Sequence, residues 1–166
     1  MDKIIAATLK TLEKSRFLLE QLSDEQLQNA SVSPYCSSIG CHIRHILDFY
    51  DCIFNVDENN VVNLTARSRN KAVECACCKA LSYLANIENS LKSFNLDIQT
   101  PVKVIDDLGM GKVEMPYTMA SLFSQANSHT IHHYAIINYI LEGLKISFND
   151  SSFGYNPTTP KNVKAS

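Results

Sequence analysis

The sequence predicts an all-α fold, a four-helix bundle built as one domain, and three observations carry that expectation. Four long stretches repeat apolar residues at intervals of three and four, the signature of helices with one buried face. Only one short stretch alternates like a strand, which is too little for a sheet of its own. The 166 residues, 45% of them hydrophobic, suffice for one core; split in two, each half would approach the lower size limit for an independent core.

The first pattern runs over residues 2–22, with Ile5, Leu9, Leu12, Leu19 and Leu22 on one face and Lys3, Lys10, Glu13 and Lys14 between them. Ser23, Asp24 and Pro34 interrupt it. The second begins near Ser37 or Ser38, hydroxyls able to accept a bond from the free first-turn amides, and continues to about Asn55. Its apolar members are Ile39, Ile43, Ile46, Leu47, Phe49, Tyr50, Ile53 and Phe54. A third helix is expected over residues 68–94, where Val73, Ala76, Cys77, Ala80, Leu84, Ile87 and Leu91 recur at helical spacing.

From Val102 to Met115 the pattern changes to two short alternating segments around Gly109 and Gly111, a hairpin or extended excursion. The last helix is expected from about Met119 to Leu144, with Thr118 as N-cap and Gly143 near its end. A domain core of about 2–145 is thus followed by an irregular tail, 146–166, with Gly154, Pro157 and Pro160, that drapes over the bundle.

Composition excludes several partners. Fifteen Lys and Arg against seventeen Asp and Glu give a net charge of −2, with no basic block, so no nucleic-acid or anionic-membrane footprint is present. No apolar run approaches the roughly 18 residues that span a bilayer, and the charged N-terminal stretch lacks the apolar centre of a secretory signal. The sequence therefore reads as cytoplasmic. On that reading the six cysteines, at 36, 41, 52, 75, 77 and 78, are free thiols.

The chemistry lies in the histidines. All five fall in two of the four helices: His42 and His45 in CHIRHILDFYDCIF, and His129, His132 and His133 in SHTIHHYAIINYIL. At roughly 100° per residue, His129 and His133 lie about 40° apart on one face. That face carries Leu122, Ala126, Ile136, Ile137, Ile140 and Leu144. A single histidine on an apolar face is more often a hydrogen-bonded core residue than a ligand. Two pairs on helices able to face each other favour a metal ion, because neutral imidazole is a common ligand of Zn, Ni and Fe. The wheel alone favours His42 over His45 as the contribution of the second helix.

These residues also carry a resemblance. SIGCHIRHILDFY, followed some eighty residues later by NSHTIHHYAIINYIL, resembles the DinB/YfiT-like superfamily of four-helix metalloproteins, along most of the chain. The resemblance implies an up-up-down-down bundle whose metal is held by one His of the second helix and two His, four apart, of the fourth. Carried over, these are His129, His133 and, against the wheel, His45, the second His of the helix-two motif. His42 and His132 then become candidates for proton transfer. Several members act on low-molecular-weight thiols, so the implied chemistry is metal-dependent S-transfer, with hydrolysis as second option. The chain departs from the family in lacking Trp, and in having neither Glu nor Gln two residues after His133, which counts against the sulfoxide-synthase branch.

Around the site, Asp48 is a candidate to orient an imidazole, and Gln125 and Asn138 to line a pocket. Cys41, one turn before His45, is a weaker candidate near the metal. The C-x-x-C within CACC at 75–78 has no second pair and no βαβ context. The expected cofactors are a divalent metal ion and a low-molecular-weight thiol, and the expected partners a small-molecule substrate and a second copy of the chain. The rival reading is a non-catalytic bundle, stapled by the metal, with a stress-related or binding role.

Overall fold

The computed structural model describes residues 1–160. The expectation of an all-α bundle is corrected by it: among the described residues six helices are accompanied by a three-stranded mixed sheet. Helix α1, Lys3–Leu19, is capped by Asp2, whose Oδ1 accepts from the Ile4 amide at 2.7 Å. It buries Ile5, Thr8, Leu12, Ser15, Leu18 and Leu19, one stripe at helical spacing. A short α2, Asp24–Gln28, opens with a reciprocal capping box between Ser23 and Gln26. Helix α3, Ile39–Phe54, is capped by Ser38, whose Oγ accepts from the Cys41 amide at 3.1 Å.

The expected third helix is two helices. Chain 71–75 forms α4, Lys71–Cys75; Ala76 then turns extended (φ −137°, ψ 119°), and α5 runs Cys77–Lys92. Two tertiary contacts favour the break. The first-turn amide of Cys77 donates to Asp24 Oδ1 of α2 at 2.8 Å, a cap supplied from elsewhere in the chain. Helix α4 meanwhile lies so close to α3 that a Cβ at Gly40 would collide with the Glu74 carbonyl. Helical periodicity alone reads straight through such a break, because both halves keep apolar residues in phase.

The sheet is ordered β1-β2-β3, from β1 Val61–Asn63, β2 Pro101–Asp107 and β3 Lys112–Thr118. Strands β2 and β3 form the hairpin that the alternation predicts, turning through Gly109 (φ 91°) and Gly111 (φ 98°). The strand that pattern misses is β1, three residues long and paired parallel to β2 with Val62 opposite Val104. Three residues are too few to show a period, and a parallel partner some forty residues away leaves no local trace. Val62, Val102 and Val104 are buried in the core, so the sheet is a wall of the domain.

Helix α6, Met119–Gly143, starts at Thr118 with a second capping box, to Ser121. The long helices close a ring of neighbours: α1 packs on α5 and α6, and α3 packs on the same two. The tail covers this ring. Phe153 is fully buried and stacks on Tyr134 with ring centroids 4.5 Å apart, and Asn138 Nδ2 donates to the Phe153 carbonyl at 2.9 Å. The last six residues of the expected tail, 161–166, lie outside the described residues. No helix among the described residues is long and apolar enough to cross a membrane.

Candidate metal centre

Helices α3 and α6 bring three histidine rings into one cluster. The centroids are 4.5 Å apart for His129 and His133, 4.6 Å for His45 and His133, and 4.9 Å for His45 and His129. One ring nitrogen from each of the three lies within 4.8 Å of the other two. Tetrahedral coordination with metal–nitrogen bonds of about 2.0–2.1 Å places donor nitrogens about 3.3–3.4 Å apart, so small side-chain rotations suffice. The i, i+4 spacing sets the His129 and His133 rings on one face of α6, while α3 supplies His45.

The surroundings keep these rings neutral. Burial, then the Arg67 cation, pushes the His45 and His129 pKa values down to about 4. His133 is lowered further, by burial first and then by its histidine neighbours. Neutral imidazoles have the free lone pairs that a divalent ion requires. The Nε2 of His129 is buried without a hydrogen-bond partner, and an orphaned buried nitrogen costs free energy unless something binds it. Donor set and orphaned atom both fit a divalent cation.

His42 stands one step outside this group. Its Nδ1 lies 2.9 Å from His133 Nδ1, and its Nε2 lies 2.8 Å from Ser37 Oγ. In one neutral arrangement His133 donates from Nδ1, leaving its Nε2 lone pair for an ion, and His42 passes its own proton toward Ser37. That chain would fix the His133 ring through one nitrogen and leave the other for an ion. The wheel ranked His42 ahead of His45 because it assumes a single apolar stripe. Helix α3 is packed beyond its stripe: Gly40, Ile43, Ile46, Asp48, Phe49, Tyr50 and Cys52 are all buried, because α4, α5, α6 and β1 surround it. His132 is exposed on α6, its ring 5.4 Å from that of His133.

Two expected neighbours belong elsewhere. Asp48 orients no imidazole; it is fully buried and accepts from Arg44 Nη1 (2.6 Å), Ser68 Oγ (3.1 Å), the Arg69 amide (3.2 Å) and Tyr83 Oη (3.2 Å). It ties the segment between β1 and α4 onto α3. Asn138 follows His133 by five positions, about 140° around the helix, and holds the tail instead. Gln125 lies one turn before His129 on the same face, and its Oε1 is buried without a partner. Cys41 falls outside the histidine group, its Sγ 3.9 Å from Arg44 Nη2.

The residue missed by sequence reasoning is Arg67. It sits in the loop after β1, where its Nε donates to the Leu64 carbonyl at 3.0 Å. Its Nη1 reaches His45, 2.9 Å from Nδ1 and 3.4 Å from Nε2. Nothing in the run Thr65–Ala66–Arg67–Ser68 marks it, because the turn of the chain, not any period, aims its side chain. No family model, no curated protein and no solved structure matches this chain.

Proposed function

We propose that the protein is a DinB-like metal-dependent enzyme in which His45, His129 and His133 hold a divalent ion. The observation carrying this reading is the cluster itself: three neutral imidazoles on two helices, converging within 4.8 Å, with His129 Nε2 buried and unpartnered. Zn, Ni and Fe all suit three such donors. When bound, the ion supplies a Lewis acid with an open position that lowers the proton affinity of a thiol or water there.

The chain's own residues prepare that position. His42 and Ser37 hold the His133 ring from behind, and Phe49 packs against His129 with centroids 5.1 Å apart. His42 is placed to move a proton between the interior and Ser37, and exposed His132 to exchange one with solvent. A low-molecular-weight thiol transferred to an electrophile is the first reaction class, and hydrolysis the second. A mere staple is less favoured, since α3 and α6 are already joined by their core and by a Tyr50–Thr130 hydrogen bond of 3.2 Å.

Elemental analysis of protein purified without a nickel column tests the reading. One divalent ion per chain is expected, falling to none in the His129→Ala/His133→Ala variant. Unchanged metal content in that variant would refute it.

A further inference from the structure

Arg67 leaves an excess of positive charge at the site once an ion is bound there. It is the cation beside His45, within reach of both ring nitrogens through one Nη1. Whichever of them coordinates an ion, the guanidinium must swing off that lone pair and remain beside the metal. Two cations side by side at half-buried positions repel each other. No carboxylate pairs with the guanidinium. Among the described residues none lies within ion-pair distance of Arg67. Asp106 on β2 acts on His129 in the sense that favours positive charge and so offsets the excess in part, but it makes no ion pair with Arg67. The other arginine near the site, Arg44, is committed to Asp48 and Glu74, each at 2.6 Å.

Arg67 is also held in place from behind. Its Nε is fixed on the Leu64 carbonyl, and the chain just beyond it is fixed by Ser68 Oγ and the Arg69 amide, both bonded to Asp48. The end of the guanidinium, Nη2, has no partner among the described residues. A planar fork of donors anchored at one edge and free at the other matches a carboxylate, which it binds through two parallel hydrogen bonds.

Resting on the metal reading above, we infer that Arg67 is the anion-recognition residue of this centre, and that the substrate carries a carboxylate. One end of the substrate takes the open metal position, and its carboxylate takes the guanidinium released from His45. The added negative charge lies between two cations and relieves their repulsion.

The experiment uses Co²⁺-loaded full-length protein and two probes of equal length, 3-mercaptopropionate and 3-mercaptopropanol. They differ only in carboxylate against hydroxyl. The thiolate-to-cobalt charge-transfer band reports binding of each without any enzymatic assay. Wild-type protein should prefer the carboxylate probe about 10-fold or more, the range of a hydrogen-bonded charge pair. Arg67→Ala should abolish the preference while leaving the affinity for 3-mercaptopropanol unchanged or higher, and Arg67→Lys should restore part of it. If Arg67→Ala keeps the preference, or weakens both probes equally, Arg67 does not recognise the anion and the inference fails alone. Wild-type protein that takes up no Co²⁺ would overturn the metal reading and this inference together.

Discussion

Replacing Asp48 by Ala should destabilise the whole domain, although the residue touches none of the histidines. The carboxylate is fully buried and accepts four hydrogen bonds, from Arg44, Ser68, the Arg69 amide and Tyr83. Arg44 keeps its second partner, Glu74, at 2.6 Å, so its charge is not stranded. Removing one partner of a buried ion pair costs about 3–5 kcal/mol, and the neutral donors left without an acceptor keep the estimate in that range. For a chain of this size about 2–4 °C of melting temperature is lost per kcal/mol, which gives a fall of about 6–20 °C. Circular dichroism melts of metal-free protein at pH 7 measure it directly. Arg44→Met should also destabilise, by leaving the Asp48 charge without the one cation paired with it among the described residues. The pair Arg44→Met/Asp48→Leu should cost less than the two single changes added together, because no buried charge then remains unmatched. A melting temperature for Asp48→Ala within about 3 °C of wild type, below the range derived from the same slope, would refute the hub.

Three further outcomes are expected. His45→Ala should lose stoichiometric metal, whereas His42→Ala, acting through His133, should weaken binding by about 10 to 100-fold; competition with a chromophoric chelator separates them, and the reverse order would reassign the ligand. The pKa values of His45 and His129 fall to about 4 in the fold from an ordinary 6.5, so between those values the unfolded chain binds more protons. Stability of the metal-free protein is therefore full above pH 6.5 and is lost as pH falls toward 4; a urea midpoint unchanged between pH 7 and pH 5 would contradict the burial of these rings. Phe153→Ala should destabilise by about 3–5 kcal/mol, since the ring is fully buried against Tyr134; a loss below about 1 kcal/mol in urea titrations, well under that range, would show that the tail adds little.

How much was legible in advance differs between what neighbouring residues set and what distant ones set. Helices α1, α3 and α6 and the caps Ser38 and Thr118 follow from residues within a turn or two of one another, the distance over which periodicity and capping act. The His129 and His133 pair is legible for the same reason: their shared face is a property of one helix. The choice between His42 and His45 is not, because it depends on what surrounds α3, and the wheel has no knowledge of a helix packed on nearly every side.

What only the tertiary structure decided is whatever joins distant parts of the chain. The break at Ala76 depends on Asp24 and Gly40, and β1 depends on a strand that follows it after α5. Asp48 reads as an ordinary helix carboxylate until Ser68, Arg69 and Tyr83 converge on it. Arg67 reaches His45 from the loop after β1, across 22 positions of sequence. Local patterning records how a segment meets water and core, and is silent on which other segment it meets. The sequence therefore determined helices α1, α3 and α6, the β2–β3 hairpin and two of the clustered histidines; the fold decided α2, the break at Ala76, the third strand, the buried carboxylate and the cation beside the site.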